Sequence, residues 1–229
     1  MKSVALSRIA FSFGAAILLL APIASLPVKA NENRADFPGR RVGGGTRSEC
    51  LVGSQYLLAL TPSNNLSVTA NQQPNLFFVL PKADTAQQGK FLLKDDQSKT
   101  VYQTTLTANA NDQLVGVQLP ANVLKPGQTY RWNFAFACDP DDRTQDIVLT
   151  GWLRTVAATV AAPTGQDLAA RLQQVETYQA AGLSGDAIAA LVKLRKDYPD
   201  DAEVQETWQA LLKTLKLDQV FSPTIAVQH

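Results

Sequence analysis

The chain has 229 residues, a length that suits one or two domains. Hydrophobic residues make up 45% of it, enough for a sizeable core, and charged residues only 18%, which excludes long solvated charge runs. The net charge of +1 gives no bulk electrostatic reason to expect nucleic acid or an anionic membrane as a partner.

Residues 1–30 have the three-part pattern of a secretory signal peptide. Lys2 and Arg8 form a positive n-region, the stretch Ile9–Ala24 is mostly apolar, and Val28-Lys29-Ala30 offers a small-x-small cleavage site. An uncleaved anchor is the alternative, but Pro22 interrupts a run that is short for a membrane span. We therefore expect cleavage after residue 30, a periplasmic or extracellular location, and a mature chain that does not span a membrane.

The two cysteines, Cys50 and Cys138, both follow the predicted cleavage site. An even count in an exported chain favours a disulfide. This bond would close a loop of about 88 residues and, by the loop-entropy estimate, stabilise the fold by roughly 4–5 kcal/mol. A catalytic thiol is the alternative, but it needs a base such as His, and the single His is the terminal His229. We expect the disulfide.

Residues 31–49 predict a flexible arm rich in Arg and Gly. Three consecutive glycines, 43–45, follow the basic pair Arg40 and Arg41. The arm either contacts an acidic partner or phosphate, or is a solvated leader between the signal peptide and the domain. It is not a phosphate-binding loop, because the glycines do not end in Gly-Lys-Ser/Thr.

Residues 50–157 predict an antiparallel β-sandwich of the immunoglobulin or fibronectin type III kind. Short apolar runs recur about every ten residues, separated by turn-forming residues. Tyr130 begins the most regular alternation, and we expect its hydroxyl to bond to the backbone of the preceding loop, as in a tyrosine corner. The predicted strands are Tyr56–Leu60, Leu66–Ala70, Leu76–Leu80, Phe91–Leu93, Val101–Leu106, Leu114–Leu119, Tyr130–Cys138 and Ile147–Val156.

An acidic turn, residues 139–146, lies between the last two predicted strands. Its carboxylates could supply oxygen ligands to Ca²⁺, although the spacing fails the EF-hand pattern. The alternative is an ordinary turn, because Asp and Pro favour turns and Arg143 can pair with a carboxylate. Its charged residues are Asp139, Asp141, Asp142, Arg143 and Asp146.

Residues 158–166 suggest a linker, 167–217 a helical segment, and 218–229 a flexible tail. We expect Asp167, Ser184 and Asp200 or Asp201 to cap three successive helices. The spacing of Gly182 and Pro199 resembles a tetratricopeptide unit, but about three units are needed for a free-standing solenoid. The helices therefore either cap one sheet of the sandwich or pack on another protein.

Several motifs together resemble the domain of unknown function 928 family, found in exported cyanobacterial proteins. The match covers nearly all of the mature chain, and the resemblance implies no established activity. The residues that carry it are Pro38-Gly39-Arg40-Arg41, Gly43-Gly44-Gly45-Thr46-Arg47, Cys50, Tyr130-Arg131-Trp132, Cys138-Asp139-Pro140-Asp141-Asp142-Arg143, Gly151-Trp152, Gly182, Asp186, Ala187 and Asp200.

We expect a non-catalytic exported module that binds another exported protein or an envelope component, without a cofactor and without nucleic acid. The chain lacks any His-based or nucleotide-binding constellation. Two alternatives are a carbohydrate- or Ca²⁺-binding module using the acidic turn, and a hydrolase using paired Asp residues. The candidate interaction residues are Arg40, Arg41, Asp139, Asp141, Asp142, Arg143 and Asp146.

Overall fold

The computed structural model describes residues 37–43, 56–81, 86–109, 113–139, 142–157, 160 and 165–218. Within these ranges the chain is mainly β, with two sheets followed by three helices. The predicted signal peptide, Cys50, Asp141 and the tail after Asp218 lie outside the described residues.

Nine strands occur in this part of the chain, and eight of them fall on the eight predicted apolar runs. The four-stranded sheet has the order β1-β2-β4-β7, and the five-stranded sheet has the order β3-β9-β8-β5-β6. The strands are β1 (Val42–Gly43), β2 (Leu57–Ala59), β3 (Leu66–Thr69), β4 (Asn75–Val79), β5 (Gln87–Lys94), β6 (Thr100–Ala108), β7 (Leu114–Gln118), β8 (Thr129–Phe136) and β9 (Ile147–Thr155).

Strand β3 pairs with β9 in parallel, with Leu66 opposite Trp152 and Thr69 opposite Thr155. The predicted antiparallel arrangement is therefore wrong for this pair, while the other pairs are antiparallel. Strands β2 and β3 are consecutive but belong to different sheets, so no hairpin sets the direction of β3. An alternating apolar run predicts a strand but does not determine which strand pairs with it or in which direction.

The core between the sheets is aromatic. Alternate residues of β8 point inward, and Trp132 and Phe134 are almost fully buried there. Phe78 of β4 stacks on Phe134 with ring centroids 4.1 Å apart and meets the edge of Trp132 at 5.5 Å. Gly151 of β9 lies against the Trp132 ring, where a Cβ atom would overlap the indole. Only glycine fits beside this indole, because the interior is close-packed.

Tyr130 occupies the predicted corner at the start of β8. Its hydroxyl accepts a hydrogen bond from the backbone N–H of Lys125 at 2.7 Å. The side chain of Thr155 donates to the Lys125 carbonyl at 2.6 Å, so two side chains hold the same residue of the loop. The expected hydrogen bond of Tyr130 is therefore present.

The three helices are α1 (Leu168–Ala180), α2 (Ser184–Asp197) and α3 (Ala202–Thr214). Asp167 and Asp201 cap α1 and α3 as predicted, because their carboxylates accept N–H groups of the first turn. The prediction that Ser184 caps α2 is wrong. Leu183 precedes this helix without a side-chain cap, and the Ser184 hydroxyl accepts the N–H of Val68 in β3 instead.

The helices pack on the outer face of the four-stranded sheet. A second apolar core joins Leu58 and Val79 of that sheet to Leu191, Trp208 and Leu211 of the helices. Sheets and helices belong to the same compact unit, residues 35–229. The helical segment is thus a layer of the fold.

Candidate binding groove

Residues 37–43 of the predicted arm are described by the structure. Arg40 forms an antiparallel bridge with Thr150 of β9, in which each backbone N–H donates to the other residue's carbonyl. Its side chain is exposed. Only its backbone takes part in the bridge, so the guanidinium remains at the surface.

Arg41 holds the end of the last helix. Its Nη1 donates to the carbonyls of Leu215 at 2.6 Å and Thr61 at 3.1 Å, and its Nη2 donates to Lys216 at 3.2 Å. Burial lowers the pKa of its guanidinium from the ordinary value. Carbonyls at a helix C-terminus lack intrahelical partners, so Arg41 caps α3 from the other end of the sequence.

The described residues of the acidic turn bond mainly to one another. Asp142 accepts from the N–H and hydroxyl of Thr144 at 2.9 and 2.6 Å and from Gln145 at 3.1 Å, which lowers the pKa of its carboxyl. Arg143 pairs with Asp146 at 2.6 Å. Among the described residues, no three His, Cys, Asp or Glu side chains cluster as metal ligands would.

The described interaction residues lie in three different settings. Arg40 faces solvent, Arg41 binds backbone carbonyls, and Asp142 and Asp146 bond within their turn. Asp139 is half-buried in the segment after β8, and Asp141 lies outside the described residues. The site with the geometry of a ligand pocket is elsewhere, where the sandwich meets the helices.

The first feature of this junction is Asp186, a buried carboxylate in the first turn of α2. One oxygen accepts the hydroxyl of Thr69 at 2.5 Å, and the other accepts the N–H of Ala70 at 2.7 Å. Both donors belong to the edge strand β3 and the residue after it. The charge is removed from water, and this desolvation raises the pKa of Asp186 despite the hydrogen bonds, which lower it.

Ser184 and Asp186 together satisfy the free edge of β3. Ser184 accepts the N–H of Val68, and Asp186 accepts that of Ala70, two residues further along. In a regular sheet these outward N–H groups would pair with a neighbouring strand. Helix α2 therefore takes the place of that strand with two side-chain oxygens.

Beside this edge lies a groove of about 710 Å³, which we call the junction groove. Its apolar wall comes from β4 and α2, and its polar side contains a phenol, a carboxylate and two ammonium groups. Lys193 pairs with Asp197 at 3.0 Å, and Lys196 is exposed. The residues that define the groove are Phe77, Tyr178, Asp186, Val192, Lys193 and Lys196.

Tyr178 of α1 contributes a hydroxyl to the groove. Burial raises its pKa first, and the nearby carboxylate of Asp186 raises it further. The phenol therefore stays protonated well above neutral pH and can donate a hydrogen bond to a ligand. The nearby ammonium groups of Lys193 and Lys196 favour an acidic group on that ligand.

The junction groove was not predicted from the sequence, although the position of Asp186 on its helix indicates a buried carboxylate. It follows Leu183 by three residues and precedes Ala190 by four, so the helical period places it on the inward face of α2. A carboxylate at such a position needs buried donors. The donors could not be identified from sequence, because they lie 116–117 residues away, at the end of β3 and on the residue after it.

These features define a class of protein, a two-sheet β unit whose helical layer completes a strand edge and borders a groove. A family model described as Domain of Unknown Function (DUF928) matches residues 42–225. The chain belongs to this family, which confirms the resemblance drawn from the motifs. No curated protein matches the chain. In the part of the chain that the structure describes, no helix is long and apolar enough to cross a bilayer.

Proposed function

We propose that this protein is a non-catalytic exported module that binds a segment of another exported or envelope protein in the junction groove. The observation that carries the proposal is the groove itself, because its 710 Å³ falls within the range typical of ligand pockets. It combines an apolar wall from Phe77 and Val192 with a few polar groups. That composition suits a peptide segment with an apolar side chain next to an acidic one.

The state of Asp186 supports binding rather than catalysis. A general acid or base must reach the substrate, and both oxygens of Asp186 are engaged by Thr69 and Ala70. The residue is only 8% exposed. The carboxylate therefore acts as a structural clamp under the groove, and the accessible polar groups include Tyr178, Lys193 and Lys196.

Export is part of the proposal, since residues 1–30 have the pattern of a cleavable signal peptide. We also propose the disulfide between Cys50 and Cys138. Within the described residues no cysteine is free, which supports this pairing. The bond would tie the stretch after the arm to the end of β8.

We also propose two relationships of the fold, one for the sandwich and one for the helices. An immunoglobulin- or fibronectin III-like sandwich is supported by the two-sheet strand order and by the bond between Tyr130 and the backbone of Lys125. A tetratricopeptide-like origin of the helices is supported by the turn at Gly182, with φ of 71°, between α1 and α2. Pro199 follows α2 at the matching position.

A photo-crosslinker tests the binding site directly. Benzoylphenylalanine in place of Ala189, which lines the groove, should yield a discrete adduct with one envelope or secreted protein after irradiation of cells. The same group in place of Lys213, exposed on α3, is the matched control. Adding Lys196→Glu should weaken the adduct at 189. The same adducts at both positions, or none at 189, would contradict the proposed site.

A second candidate is carbohydrate or Ca²⁺ binding at the acidic turn. One observation favours it, since the buried Oδ1 of Asp146 has no hydrogen-bond partner among the described residues. Against it, Asp142 is already fully engaged by Thr144 and Gln145. Calorimetry with Ca²⁺ and with neutral oligosaccharides separates the candidates, because heat that disappears in Asp146→Asn would favour the turn.

A further inference from the structure

The outer face of the five-stranded sheet is strongly basic. Along β5, β8 and β9, alternate residues point away from the core, and the register places Lys94 beside Arg131 and Arg131 beside Trp152. Arg40 bridges to Thr150 on the same face, because partners in an antiparallel bridge point to the same side. We call the set Arg40, Lys90, Lys94, Arg131 and Arg154 the cationic face.

The outward positions of these three strands include no acidic residue among those the structure describes. Besides the cations they hold Thr, Asn, Gln, Ala, Val, Leu and Trp. The described ion pairs involve other residues, Arg143, Arg171 and Lys193. The near-zero net charge of the chain therefore hides a local concentration of positive charge, which attracts anions.

Two aromatic rings position two of the guanidinium groups. The rings of Phe37 and Trp152 are 5.5 Å apart, the Arg154 guanidinium lies 5.4 Å from the Phe37 ring, and that of Arg131 lies 6.0 Å from Trp152. Arg154 also donates through Nε to Thr129 at 3.2 Å. Such cation–π contacts reduce side-chain freedom before any ligand binds, so less entropy is lost on binding.

The charges are spread too widely for one small anion. Strands lie about 4.8 Å apart and residues rise about 3.4 Å along a strand, so Lys90 and Lys94 have Cα atoms roughly 14 Å apart. Arg131 and Arg154 are then roughly 8 Å apart on neighbouring strands. An inorganic phosphate or a single carboxylate can contact only one of these pairs. A ligand that uses the whole face carries repeated negative charges.

We propose that the cationic face binds an acidic polysaccharide, a polymer of sugars that bear carboxylate or sulfate groups. Bidentate guanidinium groups match such anions. Hydroxyl and amide side chains of the same face, including Thr150 and the exposed Gln88, can pair with sugar hydroxyls. The cationic face is separate from the junction groove. Polysaccharide binding would therefore be a second function, distinct from the proposed binding of a protein segment.

The face is less suited to two other polyanions. Apolar side chains that insert between lipids strengthen peripheral membrane binding, and here the rings of Phe37 and Trp152 contact each other and the guanidinium groups instead. Binding of single-stranded nucleic acid relies on exposed aromatic rings that stack on bases. Trp152 is only half-exposed, and its Nε1 donates to the Pro38 carbonyl at 3.0 Å.

Binding of the purified mature chain to immobilised polygalacturonate and dextran sulfate tests the proposal, with uncharged dextran as the blank. We expect binding to both charged polymers that weakens with rising salt, as polyanion binding does. Arg131→Gln/Arg154→Gln should weaken it about tenfold or more. Lys90→Gln/Lys94→Gln, which does not alter any cation–π contact, should weaken it severalfold while thermal unfolding stays unchanged. Lys213→Gln/Lys216→Gln removes the same charge from the end of α3 and should have no effect.

Three outcomes would overturn the proposal. The first is no binding to either charged polymer at low salt. The second is equal loss in the Lys213→Gln/Lys216→Gln control, which would indicate unspecific attraction. The third is tighter binding to single-stranded DNA or to phosphatidylglycerol vesicles than to the charged polysaccharides, which would assign the face to another class of ligand.

Discussion

Replacing Asp186 should uncouple the helical layer from the sandwich. Asp186→Ala removes two hydrogen bonds to a carboxylate and leaves the buried Thr69 hydroxyl and the partly buried Ala70 N–H without that acceptor. Hydrogen bonds to charged groups contribute about 1.5–3 kcal/mol each, and an unsatisfied buried donor costs about 1–3 kcal/mol. Relief of the buried charge offsets part of this sum.

We therefore expect the free energy of unfolding of Asp186→Ala to fall by about 2–4 kcal/mol at neutral pH. For a unit of this size the melting temperature should fall by roughly 5–15 °C, since about 1 kcal/mol corresponds to 2–4 °C. Urea unfolding followed by circular dichroism measures the change. Asp200→Ala, at an exposed position before α3, is the control and should stay within about 0.5 kcal/mol of the unmodified protein. A similarly small loss for Asp186→Ala would refute the clamp.

The same residue predicts a pH dependence. Burial raises the folded-state pKa of Asp186 above the ordinary value of 3.8, so the native state holds this proton more tightly than the unfolded chain does. Its contribution to stability is fully present below pH 3.8 and is lost as pH rises through the folded-state pKa. The stability of the native protein relative to Asp186→Asn should therefore decline over this window. A difference that grows with pH would contradict the assigned cause.

The remaining predictions concern packing, capping and the disulfide. Gly151→Ala should destabilise the fold by about 1–3 kcal/mol or more, because the added Cβ overlaps the Trp132 ring. Chemical denaturation measures the loss, and an unchanged midpoint would contradict the predicted overlap. Arg41→Gln should lower stability by about 2–3 kcal/mol and raise amide exchange at the end of α3, whereas unaltered exchange would mean that its carbonyl contacts are dispensable. Thiol titration of unreduced protein should detect neither Cys50 nor Cys138, and reduction should cost roughly 4–5 kcal/mol of stability; two reactive thiols would rule out the bond.

The strands could be predicted from sequence because each depends on local information. Alternation from Tyr130 to Phe136 and the turn before it determined the direction of every side chain in β8. The corner at Tyr130 was equally local, since its hydroxyl bonds to a residue five positions earlier. Helix starts at Asp167 and Asp201 followed from capping within one turn.

Contacts between distant segments could not be predicted in this way. The parallel pairing of β3 with β9, the hydrogen bond from Val68 to Ser184, and the capping of α3 by Arg41 each join residues far apart in the chain. A single sequence contains no pattern that links such positions. The junction groove likewise joins distant segments, because Phe77 of β4 lies opposite Tyr178 and Val192 of the helices. Its position could therefore not be predicted from the sequence.

The closure of the β3 edge has a consequence for folding kinetics. Strand β3 lies in the first half of the chain, whereas Ser184, which accepts a hydrogen bond from Val68, follows Val68 by 116 residues. Until α2 docks, β3 presents unpaired N–H groups, a template on which a second chain can add a strand. Nascent or partly folded molecules should thus be most prone to aggregation before the helices form. Slowing helix docking should increase misassembly even where the final structure is equally stable.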